Sequence, residues 1–251
     1  FRVVGFDGLT DYYDVELKKK RHAMLEKNPN FTAHIGMLED YDFLAKVVAD
    51  ANPDGIVHLA AQAGVRYSLE NPRAYVDTNL TGTFNLMETA RIQKVDHLLM
   101  ASTSSVYGGN TQMPFEETQK TELPLTLYAA TKKANEAMAH SYAHLWHIPA
   151  ALFRFLTVHA PHARPDLALV KVLRAALADE AIDVYNHGQM SRDFTYVDDL
   201  VHSIRLLIDT PPPRPGAGVP QIEGDSLSPV APFRTLNIGN GASVPLMTFI
   251  S

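Results

Sequence analysis

The chain has 251 residues, 46% of them hydrophobic and 20% charged, which suits one large or two small globular domains. Lys plus Arg number 22 against 28 Asp plus Glu, a net charge of −6 that argues against a nucleic-acid or anionic-membrane surface. There is no cysteine, so disulfides and thiolate metal sites are excluded.

No apolar run approaches the ~18 residues of a membrane span. No signal peptide follows Phe1, and the pattern points to the cytoplasm. Short apolar runs alternate with helical patterns, the βαβ signature of a parallel sheet. Phe1–Asp7 reads as a strand, Asp14–Lys27 as a charged helix, Phe31–Ile35 as a weak strand and Tyr41–Ala51 as a helix. Gly55–Ala60 is a buried strand, and Pro72–Gln93 one long helix opened by a proline. His97–Thr103 and Ala150–Phe155 are strands on either side of a helix at Leu127–Trp146, and Leu167–Ala178 is a further helix. After that the rhythm changes. Ile182–Tyr185 and Arg192–Val197 are short strands, Asp198–Asp209 is a helix, Asp209–Pro232 a Pro-rich loop and Arg234–Gly239 a last strand. A helix begins near Pro245. Residues 1–180 read as a nucleotide-binding layer and 181–251 as a smaller, interrupted substrate-side lobe.

The sharpest chemical signal is Tyr128-Ala-Ala-Thr-Lys132. On a helix the i, i+4 spacing puts both side chains on one face. A phenol, with a pKa of about 10, is a poor base at neutral pH. A nearby ammonium favours the phenolate, and a tyrosine so tuned can take a proton from a sugar hydroxyl. The pattern alone also fits an ordinary half-buried Tyr beside an exposed Lys. Its context is the hydroxyl run Ala101-Ser-Thr-Ser-Ser-Val-Tyr-Gly108, at the C-terminal end of a predicted strand. Open α/β sheets bind ligands at that end. None of the eleven His shows metal-ligand spacing, and no metal is expected; His140 and His144 read as a solvated i, i+4 pair.

With these motifs the chain resembles an extended short-chain dehydrogenase/reductase, within it the NAD-dependent nucleotide-sugar epimerases, and most of all the UDP-glucuronate 4-epimerases. The resemblance runs through Asp7–Tyr13, His58–Ser68, Asn79–Thr83, the hydroxyl run, Tyr128–Lys132, Arg164–Ala168, Asn186–Asp199 and Asn237–Asn240. It implies a Rossmann-like doubly wound parallel sheet with a small C-terminal lobe, and a bound NAD that is reduced and reoxidised within one turnover. Tyr128 would take the proton of the sugar 4-hydroxyl while a hydride leaves C4, and the 4-keto sugar would turn and be reduced on its other face. Lys132 would tune Tyr128 and hold the nicotinamide ribose, and Thr103 would bond the reacting oxygen. Asp7 would bind the adenosine ribose, and the backbone of Leu59, Ala60 and Ala61 would line the cofactor. Asn79, placed with the cofactor-binding set, would support the active-site helices. Arg192 would meet the diphosphate of a UDP-sugar and Tyr185 the uracil, with Ser104, Ser105, Thr157 and Arg164 around a glucuronate carboxylate. Arg192 also suits a surface salt bridge with Asp193, and Arg164 a loop cation. The family pairs into homodimers through the two helices that here bear Asn79 and Tyr128.

The sequence also departs from the family. Phe1 already belongs to the second family strand, so the first strand and its Gly-rich pyrophosphate turn are absent. Met37 stands where the family has an adenine-contacting Asp, and Gly8 where an Asn follows the ribose-binding Asp. His159-Ala-Pro161 replaces Tyr-Gly-Pro, His162-Ala163 replaces Trp-Gly, and the chain stops at Ser251, before the helices that complete the sugar-nucleotide pocket. Phe1–Asp7 is therefore expected to mispair, for instance with Gly55–Ala60, or to fray, and the chain as written to bind NAD weakly or not at all. Two sister reactions drop: dehydratases carry Asp-Glu after the catalytic Thr and decarboxylases a Glu before Val-Tyr-Gly, where this chain has Ser104 and Ser105. A UDP-glucose/galactose epimerase and a catalytically inactive remnant stay open as alternatives.

Overall fold

The computed structural model describes residues 1–161, 163–220 and 222–250, without the side chains of Tyr185 and Asn186. In chain order the first half comprises β1 (Val3–Asp7), α1 (Val15–Leu25), β2 (Phe31–Ile35), α2 (Tyr41–Ala51), β3 (Gly55–His58), α3 (Tyr67–Glu70), α4 (Pro72–Tyr75), α5 (Thr83–Gln93) and β4 (His97–Thr103). The second half comprises α6 (Leu127–Trp146), β5 (Ala150–Phe155), β6 (Thr157–His159), α7 (Ala168–Ala178), β7 (Ser191–Tyr196), α8 (Val197–Ile208), β8 (Phe233–Ile238), β9 (Ser243–Pro245) and α9 (Leu246–Ile250).

The order β3-β4-β5-β8 forms a four-stranded, wholly parallel sheet. Every residue of β4 is buried, as a strand covered on both faces must be. Alternate side chains go opposite ways. Leu98 and Met100 pack with Met87, Ala90, Ala139 and Ala143 of α5 and α6, while Leu99 joins Phe153, Ile238 and Leu200 of α8. Burying a Leu side chain stabilises by roughly 1.5–3 kcal/mol, so this double-sided core dominates the fold.

β1 and β2 pair in parallel, Val3 opposite Phe31 through Asp7 opposite Ile35, as a separate two-stranded sheet. β1 neither frays nor pairs with β3, against both expectations for it. Its inward-facing Phe6 packs into the cluster of Leu38, Leu44, Val48 and Leu86 that Ile56 of β3 also touches, so α2 and α5 hold the two sheets in register. A strand held by its side chains against a shared helix layer does not need a ladder on both edges.

Three further features differ from the sequence reading. The predicted helix over Pro72–Gln93 forms, but its middle, Val76–Gly82, is π-helical. No strand forms at Ile182–Tyr185; a short 3-10 turn covers Tyr185–Gly188 instead. The division at residue 180 is crossed both ways: β8 completes the large sheet beside β5, and β6 joins β7 and β9 in a small sheet. The Pro-rich loop is held from α6, where His140 Nε2 lies 2.9 Å from Ser228 Oγ and His144 Nδ1 lies 2.7 Å from the Val230 carbonyl. These two histidines anchor the loop, while His144 stays exposed as a solvated pair requires. No helix among the described residues is long and apolar enough to cross a membrane.

Candidate active site

Tyr128 and Lys132 stand near the start of α6, which Thr126 caps by accepting from the Ala129 amide at 3.2 Å. That end of α6 meets the C-terminal end of β4, where Thr103 is the last residue and its hydroxyl lies close enough to the Tyr128 phenol to lower its pKa. Thr103, Tyr128 and Lys132 thus come together at the ligand-binding end of the sheet.

Burial pushes the Tyr128 phenol above its ordinary value, while the Thr103 hydroxyl and the Arg164 guanidinium pull it back. Arg164 is therefore a cation that favours the phenolate, in addition to the role that the i, i+4 spacing implies for Lys132. Lys132 is 2% exposed. Burial pulls its ammonium down to about 8, opposed by the Glu136 carboxylate one turn further along α6. Beside it His58, at the end of β3, is held neutral by burial with a pKa of about 3, its Nε2 2.9 Å from Thr83 Oγ1.

Glu136 anchors a buried polar network. It accepts from Ser102 Oγ at 2.7 Å and from Arg154 Nε and Nη2, each at 2.9 Å. Arg154 Nη1 donates to the Tyr107 hydroxyl and the Glu117 carbonyl, and Tyr107 donates to Asn237 Oδ1 at 2.7 Å. This ties α6, β5, β8 and the 3-10 turn Ser104–Tyr107 together. Neither Glu136 nor Arg154 is apparent from the motif, although Glu136 sits four residues past Lys132 and could be reached by helical periodicity.

Asn79 is fully enclosed. Its carboxamide accepts from the Gln62 amide at 2.8 Å and donates to the Gln62 carbonyl and Thr131 Oγ1, both at 3.1 Å. It has no surface left for a cofactor, so it supports the loop after β3 and α6 instead of binding NAD. Leu59 in that loop is 54% exposed, with Ala60 and Ala61 partly so. Asp7 ends β1, where one carboxylate oxygen accepts from the Leu9 amide at 2.8 Å. Gly8 and Met37 meet each other: a Cβ on Gly8 would stand 2.7 Å from the Met37 sulfur, so the two departures occur as a pair.

On the substrate side, Ser104 and Ser105 open the turn after β4, and Thr103 Oγ1 accepts from the Ser105 amide at 3.2 Å. Thr157 begins β6 and Arg192 lies on β7, one small sheet at the same side of the molecule as the strand end of β5. Arg192 donates to the Ser191 carbonyl at 3.0 Å and makes no salt bridge with Asp193, which instead accepts from the Asn240 and Gly241 amides. The side chain of Tyr185, and His162 altogether, lie outside the described residues.

The donor set fits the ribose–nicotinamide half of NAD. The enclosed Lys132 ammonium makes no hydrogen bond to any described residue and is free to donate to ribose hydroxyls. Among the described residues no glycine-rich strand-to-helix turn offers backbone donors to a pyrophosphate.

A parallel sheet with helices on both faces, and a Thr–Tyr–Lys set at its C-terminal edge, define a Rossmann-like NAD-dependent enzyme. The chain belongs to the NAD dependent epimerase/dehydratase family, whose model matches residues 2–217. It is 54% identical over 248 residues to a probable UDP-glucuronate 4-epimerase of Rhizobium meliloti, covering 99% of this chain and 73% of that one. It is 40% identical to UDP-glucuronate 4-epimerase 4 of Arabidopsis thaliana, of which it covers 56%. Among solved structures it superposes on UDP-glucuronic acid 4-epimerase from Bacillus cereus, in complex with UDP-glucuronic acid and NAD, with TM-score 0.83 and 29% identity, over 98% of this chain and 72% of that one.

Proposed function

We propose that this chain catalyses NAD-dependent 4-epimerisation of a UDP-sugar, interconverting UDP-glucuronate and UDP-galacturonate. NAD, when bound, supplies the reversible oxidation that inversion at a sugar carbon requires. Tyr128 accepts the proton of the sugar 4-hydroxyl and returns it after the sugar has turned. Thr103 holds the reacting oxygen beside the phenol and steadies its charge. Lys132 keeps a cation under the site and binds the ribose through its unpartnered ammonium. Arg192, exposed on β7, takes the diphosphate, since a guanidinium fork matches phosphate oxygens. The family resemblance assigns the uracil to Tyr185. A second copy docks through α5 and α6, where Phe84 and Ile92 are 47% and 51% exposed.

One observation carries the choice of a uronate. Arg164 stands close enough to Tyr128 to favour its phenolate, and its two terminal nitrogens make no hydrogen bond to any described residue. A free guanidinium fork next to the catalytic base, with the hydroxyls of Ser104, Ser105 and Thr157, suits a carboxylate better than a neutral hydroxymethyl group. A site built for a polar group penalises the analogue that leaves it unpaired. The test is sugar-nucleotide chromatography with NAD present, comparing UDP-glucuronate with UDP-glucose. UDP-glucuronate turns over faster, and equal rates point to a hexose epimerase. Tyr128→Phe loses ~10²–10⁴ in rate but still binds the sugar nucleotide, because only the phenolic oxygen moves the proton. A Tyr128→Phe enzyme as fast as the parent sinks the mechanism.

A further inference from the structure

The segment that follows the ribose-binding end of β1 reaches across the cleft to the segment that bears Arg164. Tyr12 donates to Asp166 Oδ2 at 3.0 Å, although 154 residues separate them. The other oxygen of that carboxylate, Oδ1, lies 3.2 Å from Arg164 Nε. Arg164 in turn lies over the Tyr12 ring, 5.9 Å from its centroid. The Tyr12 ring is fixed on its far side by Tyr67, with centroids 4.7 Å apart, and its hydroxyl lies so close to Gly64 that a Cβ there would collide with it. Arg21 adds a second tie, donating to the Tyr13 hydroxyl at 2.9 Å and to the Ala163 carbonyl at 3.3 Å.

This geometry divides the bonding capacity of Asp166. A carboxylate next to a guanidinium prefers the fork–fork arrangement that takes two nitrogens at once. Here one oxygen is taken by a phenol, and the other meets Arg164 only as an ion pair at Nε, 3.2 Å away, without a hydrogen bond. The terminal nitrogens of Arg164 make no hydrogen bond to any described residue, and the guanidinium is near enough to Tyr128 to lower its pKa. We propose that Tyr12 is a specificity-determining positioning residue: its hydroxyl restrains Asp166, so that Arg164 is anchored at Nε but keeps its fork open for the carboxylate of a uronate substrate.

The inference rests on the assignment of Arg164 to that carboxylate, and the consequences differ for the two. Removing the Tyr12 hydroxyl frees Asp166 to swing and close on the fork, which neutralises the guanidinium and competes with the substrate. The uracil and diphosphate contacts lie elsewhere, so a sugar nucleotide with no carboxylate is unaffected. Removing the Asp166 charge as well leaves an amide that cannot compete for a guanidinium with equal strength, so the fork reopens.

The test is calorimetric binding of UDP-glucuronate and UDP-glucose to the NAD-supplemented protein. The parent prefers UDP-glucuronate. Tyr12→Phe weakens UDP-glucuronate by about tenfold, the scale of one charge-assisted hydrogen bond, and leaves UDP-glucose unchanged. UDP-glucose binding serves as the control for folding, because a damaged site loses both ligands. The double variant Tyr12→Phe with Asp166→Asn recovers most of the preference. A Tyr12→Phe protein with its preference intact, an equal loss of both ligands, or a double variant no better than the single one overturns the restraint while leaving Arg164 in its role. A parent with no preference overturns the role of Arg164 and the restraint with it.

Discussion

At the scale of single residues, the site places a cation where the protein alone would not favour one. Burial takes Lys132 from 10.5 to about 8. Below pH 8 both folded and unfolded chains are protonated, and the folded state bears the whole desolvation penalty. Between pH 8 and about 10.5 the unfolded chain holds more protons, so the stability contributed at this position rises with pH. Lys132→Met in the cofactor-free chain is therefore expected to raise Tm by a few degrees at pH 7, a gain on the order of 1–3 kcal/mol from the removed charge. The gain shrinks as pH climbs from 8 to 10, and a gain that ignores pH would mean that burial does not govern this lysine. The Tyr128–Lys132 pair was legible because α6 converts four residues of sequence into one face. Arg164 as the cation beside Tyr128 was not, since nothing local joins positions 36 apart. Tyr12 and Asp166 were hidden for the same reason, and Glu136, on α6, was hidden only because its partner Arg154 lies on β5.

At the scale of elements, continuous strands and helices were the readable part: β2, α2, β4, α6 and β5 begin and end where their hydrophobic patterns do. The irregular pieces that aim the site were not readable. The π-helical stretch Val76–Gly82 brings the Asn79 carboxamide onto Gln62 and Thr131, and no propensity scale marks an added residue in a turn. The turn after β4 depends on Gly108, with φ 52° and ψ −116°, and on the loop that returns beneath it. A Cβ on Gly108 would collide with the Leu123 carbonyl. Gly108→Ala is thus doubly unfavourable, with about 1–2 kcal/mol from the backbone conformation alone. It should lower Tm by several degrees and displace the loop from the Tyr107–Phe115 stack, whose centroids are 4.3 Å apart. Because that stack adjoins the turn of Ser104 and Ser105, turnover falls further than UDP-sugar binding. A Gly108→Ala protein with parental Tm and turnover would show that the loop can move aside freely.

At the scale of the whole molecule, stability is distributed unevenly between the two sheets. The large sheet is covered by α5 and α6 on one face and α8 on the other, and β4 is buried throughout. The β1–β2 unit has one ladder, its helix α1 buries no residue, and Val3 of β1 is 46% exposed, as Val57 of β3 is at 38%. Phe6 in the cluster of α2 and α5, with the Tyr12 and Arg21 contacts, supplies most of what holds the unit to the rest. Local opening follows such differences in buried apolar contact. Amide exchange in Val3–Asp7 and Phe31–Ile35 is therefore expected to run orders of magnitude faster than in Leu98–Met100 and Ala151–Phe153, with β1–β2 released as one unit. The proposed cofactor contacts span this weak boundary, since Asp7 stands on β1 and Lys132 on the helix packed against the large sheet. NAD that engages both should slow exchange in β1 and β2 while leaving β4 and β5 as they were. Uniform exchange across both sheets, or protection by NAD confined to the large one, would show that the two sheets open as one body or that Asp7 takes no part in holding the cofactor.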